Sequence, residues 1–192
     1  PYVDIAIEYE AAGASAISCL TEPYWFLGSD KYLSDIAQAV RIPILRKDFT
    51  VNEYMIYQAK AIGASAILLI CAILDDVQLK EYMKLTDELG MDALVEAHDE
   101  EELNRALKAG GRIIGVNNRN LKNFSIDTSN SIALRKLAPA DTIFVSESGI
   151  KTAEDIEILR ENDVDAVLIG ETLMRSADKK AALIELNGGK LI

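Results

Sequence analysis

Several short apolar runs in this chain end in side chains that can move protons or bind oxygen. One runs into Thr21-Glu22, the next into Lys47-Asp48, and later ones into Glu96, Asn117-Asn118-Arg119 and Glu147-Ser148-Gly149. A lysine or glutamate alone at such a place is ordinarily a solvated loop residue. The series is another matter, because Lys47 and Glu96 both emerge from apolar segments, where desolvation and mutual charge tune a proton donor against a proton acceptor. Lying on different segments, the two are expected to be held apart, as an acid and a base acting in one reaction.

Glycine follows the last two apolar runs directly, in Ser148-Gly149-Ile150 and Gly170-Glu171-Thr172. Either glycine alone reads as a tight turn. As a pair in this order they point to a phosphate site built from backbone N–H groups. His98, the single histidine, stands two residues beyond Glu96 and opens a helix-like stretch with Asp99-Glu100-Glu101. A surface or capping role is expected for it, since a lone histidine supplies no metal set. Tyr24, Trp25 and Phe26 crowd the loop after the first run and are read as lining an apolar ring subsite.

Residues of this kind need a scaffold that gathers strand ends. Strands are expected near Ser15–Thr21, Ile42–Lys47, Ser65–Cys71, Ala93–Ala97, Ile113–Asn117, Thr142–Ser146 and Ala166–Ile169. Amphipathic stretches fall between them, near Tyr32–Val40, Asn52–Ile62, Asp76–Leu89, Glu100–Ala109, Ser131–Leu137, Ala153–Glu161 and Lys179–Leu186, with Asn52, Asp99 and Thr152 as N-cap candidates. Before all of these, Val3, Ile5, Ala6 and Tyr9 form a helical pattern straight after Pro1. Ala12–Ile17 (Ala-Gly-Ala-Ser-Ala-Ile) recurs at Ile62–Ile67 as Ile-Gly-Ala-Ser-Ala-Ile, each copy ending a helix with glycine and starting a strand.

Strands that are almost continuously apolar belong to a parallel sheet covered by helices. The pattern suits a phosphate-binding (β/α)₈ TIM barrel of ~250 residues, with residues 1–192 forming one domain that holds strands two to eight and lacks the first. A doubly wound open sheet competes, but no G-x-G-x-x-G follows any strand, which removes its usual dinucleotide version.

Charge narrows the partners. With 31 acidic and 20 basic residues the net charge is −11, which argues against nucleic acid and favours a small-molecule ligand. Cys19 and Cys71 sit inside apolar runs with no CxxC partner and read as small core residues, so no metal site and no disulfide is expected. The apolar runs fall short of the ~18 residues a membrane span needs and no basic leader precedes one, making the cytoplasm the default.

Six segments, in order and each at a strand end, carry a resemblance: Leu-Thr-Glu-Pro-Tyr-Trp-Phe-Leu-Gly-Ser (20–29), Pro-Ile-Leu-Arg-Lys-Asp-Phe (43–49), Leu-Val-Glu-Ala-His (94–98), Ile-Gly-Val-Asn-Asn-Arg-Asn-Leu (114–121), Ser-Glu-Ser-Gly-Ile (146–150) and Val-Leu-Ile-Gly (167–170). Together they resemble the signature blocks of the indole-3-glycerol-phosphate synthases of tryptophan biosynthesis. The resemblance implies a cofactor-free lyase that closes the ring of 1-(2-carboxyphenylamino)-1-deoxyribulose 5-phosphate with loss of carbon dioxide and water. It implies Lys47 as general acid and Glu96 as general base or electrostatic partner. Asn117 and Glu147 would orient substrate hydroxyls and catalytic groups, supported by Arg119 and Ser148. Gly149, Gly170 and Glu171 would form the phosphate loop, the Glu171 side chain pointing away from the anion, and Phe26, Phe49, Leu74, Leu121 and Ile150 the walls around the anthranilate ring.

The family also carries a lysine, a glutamate and a Ser-Pro-Ser motif at its first strand, and none of these occurs here ahead of Pro1. Strand edges exposed by such a gap would invite association. Two alternatives follow: a barrel remnant that binds a phosphorylated ligand without turnover, and a related barrel enzyme such as phosphoribosylanthranilate isomerase, which needs a rim cysteine and an aspartate in place of Lys47 and Glu96.

Overall fold

The computed structural model describes residues 1–119 and 125–189. Seven parallel strands, β1 (Ile17–Leu20), β2 (Ile44–Lys47), β3 (Ala66–Ile70), β4 (Asp92–Ala97), β5 (Ile113–Asn117), β6 (Ile143–Glu147) and β7 (Ala166–Leu168), pair in chain order, each with the next. Helices alternate with them: α1 (Tyr2–Ala11), α2 (Asp30–Ala39), α3 (Glu53–Ala61), α4 (Asp76–Glu88), α5 (Glu100–Ala109), α6 (Ser129–Arg135) and α7 (Ala153–Glu161), then α8 (Glu171–Arg175) and α9 (Lys179–Leu186) after the last strand.

Local chemistry explains where the helices begin. Ser29, Asn52, Asp75, Asp99, Thr152 and Asp178 each accept a first-turn N–H at a helix start, and Asp75 with Gln78 and Thr152 with Asp155 form reciprocal capping boxes. The strand limits lie within two residues of those expected from the sequence. The helix α8 was not anticipated, because five residues are too few to display an amphipathic period.

Apolar residues fall into two layers on either side of the sheet. The larger joins strands to helices and includes Ile17, Cys19, Leu33, Ile56, Ile67, Leu69, Leu103, Ile114 and Phe144; the smaller, on the inner face, consists of Leu45, Leu68, Ile70, Leu94 and Val145 with Phe49 and Leu168 against it. Both thiols lie in the outer layer, and burial pushes Cys19 up to about 11 and Cys71 up to about 12.

The sheet is strongly curled. Lys47 on β2 and Glu147 on β6 stand four strands apart, ~19 Å on a flat sheet at ~4.8 Å per strand, yet their charged ends lie 3.8 Å from each other. Only a sheet bent around its inner face brings them together, as in a barrel wall.

Candidate active site

Strand alternation decides which side chains meet. Leu45 belongs to the inner cluster, so Lys47, two residues on, points the same way; equal parity carries Glu96 from Leu94, Asn117 from Gly115 and Glu147 from Val145. In register, Glu96 lies beside Gly115, Gly115 beside Val145, and Asn117 beside Glu147. The polar residues therefore form a tier above the apolar plug, at the carboxyl ends of the strands.

The tier is close but loosely paired. Lys47 Nζ lies 3.7 Å from Glu96 Oε2 and 3.8 Å from Glu147 Oε2. Asn117 Nδ2 donates to Glu96 Oε1 at 3.4 Å, and its own Oδ1 accepts the Arg119 N–H at 3.0 Å. Glu96 and Glu147 are 3% and 2% exposed. Burial, reinforced by the nearby charge of Glu96 and only partly offset by Lys47, pushes the Glu147 carboxyl up to about 8. Glu147 Oε1 is buried with no hydrogen-bond partner among the described residues. The separation expected between Lys47 and Glu96 is thus corrected: the curl of the sheet makes residues of non-adjacent strands an ion pair.

His98 requires a second correction. It is no surface residue: its side chain is 17% exposed, with Nε2 3.4 Å from Glu96 Oε1 and Nδ1 3.0 Å from Glu102 Oε2. The Glu102 carboxylate also accepts the His98 backbone N–H at 2.8 Å. The bond to Glu102 raises the imidazole pKa, burial opposes it, and the charges of Glu96, Glu102 and Glu147 raise it further. Period two along Leu94, Glu96 and His98 was the signal that placed it here.

Other candidates face away. Glu22 turns its carboxylate onto its own loop, accepting the N–H groups of Tyr24, Trp25 and Phe26 at 2.9, 2.5 and 2.9 Å. Thr21 donates to Asp48 at 2.6 Å, and Arg46, 4% exposed, ties that pair to Asp30, Gln58 and the carbonyl of Met55. Tyr24 and Trp25 are 85% and 83% exposed, while Phe26 turns inward and stacks on Phe49 with ring centres 5.0 Å apart. Of the expected aromatic trio, one residue reaches the inner face.

The two glycine turns differ. Ser148 and Gly149 both have positive φ, +69° and +87°, and a Cβ on Gly149 would strike the side chain of Ile126, whose backbone bridges to Arg119. A Cβ on Gly170 would meet nothing within 4 Å. The Glu171 carboxylate is taken by Arg175 at 2.9 Å and lies 3.7 Å from Arg119. Leu74 and Ile150 are buried in the outer layer, 4% and 2% exposed. Leu121 lies outside the described residues. Among the described residues, no group of three His, Cys, Asp or Glu side chains is placed to hold a metal ion, and no helix is long and apolar enough to cross a membrane.

Residues 2–186 match the family profile described as indole-3-glycerol phosphate synthase. The protein of that description from Ruminiclostridium cellulolyticum is 62% identical over 188 residues, 98% of this chain and 72% of the relative; that from Endomicrobium trichonymphae is 58% identical over 185 residues, 96% and 72%. Among solved structures, 3-hexulose-6-phosphate synthase from Salmonella typhimurium superposes with a TM-score of 0.80 at 13% identity, covering 97% of this chain and 92% of that one. Thiamine phosphate pyrophosphorylase from Pyrococcus furiosus gives 0.76 at 15%, covering 98% and 88%. At such identities the structural likeness is one of fold alone. The sequence match is of a different order, and by it the chain belongs to the indole-3-glycerol phosphate synthase family.

Proposed function

We propose that the corner formed by Lys47, Glu96 and Glu147 is the acid–base centre of an indole-3-glycerol phosphate synthase, acting on 1-(2-carboxyphenylamino)-1-deoxyribulose 5-phosphate. The observation that carries this reading is an ammonium within 4 Å of two buried carboxyls, one of which burial pushes up to about 8. Ring closure joins the ring carbon that bears the carboxylate to the substrate's ketone carbon. The developing alkoxide takes a proton from Lys47, and the bond to the carboxylate breaks to release carbon dioxide and restore the aromatic ring. Dehydration then sends the new hydroxyl out as water with a second proton from the Lys47 and Glu147 side of the site, while Glu96 takes the proton released as the indole double bond forms. One proton is consumed overall, matching the conversion of a carboxylate to carbon dioxide. Burial of the Glu96 and Glu147 carboxyls strengthens each of these transfers.

Asn117 orients Glu96, Phe26 and Phe49 wall the anthranilate ring, and backbone N–H groups near Ser148, Gly149 and Gly170 take the phosphate, with Arg119 drawing the Glu171 side chain aside. Support comes from the open side of Gly170 and from the inward stack of the two phenylalanines. Leu74 and Ile150 act through packing behind that wall, since neither presents surface. No cofactor enters the scheme. The isomerase alternative is disfavoured by the two thiols, which burial holds far above the range of a neutral-pH base. On the same reading residues 1–192 are one domain, supported by a single unbroken strand order, and unpaired buried thiols suit a reducing cytoplasm.

The test is direct. Incubated with the substrate in the presence of a chelator, the protein is expected to release carbon dioxide and give rise to indole fluorescence in equal amounts. Substrate binding without either product would reduce the protein to a phosphate-ligand binder and overturn the reading.

A further inference from the structure

Gly115 sits at the centre of β5 on the inner face, registered between Glu96 of β4 and Val145 of β6. Backbone conformation does not call for glycine there, since Gly115 is not among the residues with positive φ. A glycine inside a strand weakens it and often marks a close approach by another group. The approaching group is the Glu147 carboxyl. A Cβ added at Gly115 would overlap Glu147 Oε1, with Glu147 Cδ at 3.1 Å and Leu94 Cδ1 at 3.2 Å.

The carboxyl lying in this notch is held on one side only, where it shares a hydrogen bond with the Glu96 carboxyl. Its Oε1 makes no hydrogen bond to any described residue, and its Oε2 stands 3.8 Å from Lys47, longer than a hydrogen bond. Glu147 is 2% exposed, so it cannot relax into solvent. On the Oε1 side only shape holds it, with the bare backbone of Gly115 and the Leu94 side chain against it, while Glu96 and Lys47 lie ahead.

We propose that Gly115 is a positioning residue for Glu147, its missing side chain forming the seat that sets the distance from the carboxyl to Lys47 and Glu96. The proposal rests on the reading of this corner as the acid–base centre, and its test separates the two. In Gly115→Ala the strand is free to form, because alanine is at ease in extended backbone. The far end of Glu147 must move instead, toward the charges it faces.

In the full chain, Gly115→Ala is expected to lower kcat about 10- to 100-fold with KM changed less than about threefold, as for a change felt mainly in the transition state. On a Glu147→Asp background, where the side chain is one methylene shorter, the same substitution should cost less than about threefold. On a Glu147→Ala background, any loss of melting temperature caused by Gly115→Ala should disappear. An equal penalty on the parent and Glu147→Asp backgrounds, or wild-type kcat in Gly115→Ala, would overturn the proposal. Should Gly115→Ala fail to fold, folding restored by Glu147→Ala supports the seat, and failure in both backgrounds refutes it. Failure of the catalytic reading would show separately, as a Glu147→Gln variant with undiminished kcat.

Discussion

Three adjacent residue pairs divide the polar interior into two regions of opposite character. Arg46 and Lys47, Asn117 and Asn118, and Ser146 and Glu147 are neighbours in the chain, and because strand side chains alternate, one of each pair faces the helices and the other faces the inner cavity. The outward set is closely bonded. Arg46 has five partners at 2.9 to 3.3 Å, and Asn118 holds the hydroxyls of Ser131 and Ser146 at 2.8 and 2.9 Å and the Ser148 carbonyl at 3.1 Å. The inward set is slack. Glu96 and His98 join it on the same face, and the contacts of Lys47, Asn117 and His98 to Glu96 and Glu147 run from 3.4 to 3.8 Å, the 3.0 Å bonds of His98 and Asn117 leading away to Glu102 and the Arg119 backbone. It contains both of the buried side-chain atoms that lack a hydrogen-bond partner among the described residues, His98 Nε2 and Glu147 Oε1.

Equally buried polar groups thus serve two ends. A satisfied network rigidifies what it ties together, here the turns that leave β2, β5 and β6. An unsatisfied one keeps free energy in reserve for a partner, because each unpaired group gains when a ligand supplies its hydrogen bond. On the proposed reading, the outward set holds the frame in which the inward set receives the substrate.

Removing the most central inward residue should break the comparison most sharply. Lys47→Ala is expected to lower kcat about 10²- to 10⁴-fold, the usual worth of a positioned acid, while substrate binding stays within about tenfold. Single-turnover rates with binding titrations would check this. Retained turnover with weakened binding would make Lys47 a substrate anchor.

The outward set should fail in the opposite sense. Arg46→Met removes the charge that the buried Asp48 and the more exposed Asp30 face, and breaking one partner of a buried pair costs about 3–5 kcal/mol. Denaturant unfolding should show that loss, and kcat per folded molecule should stay within a few-fold of wild type. A large fall in kcat at unchanged stability would erase the distinction between the two sets.

How much of this was open to a reader of the sequence follows from the same alternation. The seven strands were legible because covered parallel strands are continuous apolar runs, and Lys47, Glu96, Asn117 and Glu147 were legible because each ends one. His98 was misjudged because a lone histidine has no partner in sequence; its partner Glu96 is two residues away on the same face, and Glu102 reaches back from α5. The Lys47–Glu96 contact was hidden because sheet curl, which no local pattern encodes, decides whether strands two apart face each other. Tyr24 and Trp25 were over-read: the Glu22 carboxylate organises that loop from below and leaves both rings in solvent. Gly115 left no trace, since a glycine in a strand announces nothing until the side chain lying over it is known.

The last effect is read on stability rather than on activity, and it isolates the slack set by charge alone. The Glu147 carboxyl is raised from 4.5 to about 8, chiefly by burial and then by the neighbouring charge of Glu96. Between those values the folded chain keeps a proton that the unfolded chain has released, so the folded state binds more protons and stability falls as pH rises. The contribution is fully present below pH 4.5 and lost as pH passes through about 8. Glu147→Gln stays neutral throughout, so its melting temperature relative to wild type should climb between pH 5 and 9 and level off above. His98, also raised, adds a loss of the same sign as its ion pairs are given up, but it is present in both proteins and largely cancels in their difference. The depressed carboxyls of Glu102 and Asp155 act at the acid end, where stability is lost as pH falls, and cancel likewise. Melting curves of the two proteins that run parallel across this range would mean that Glu147 is ionised in the folded state at neutral pH, and the inward corner would then hold two carboxylates against a single lysine.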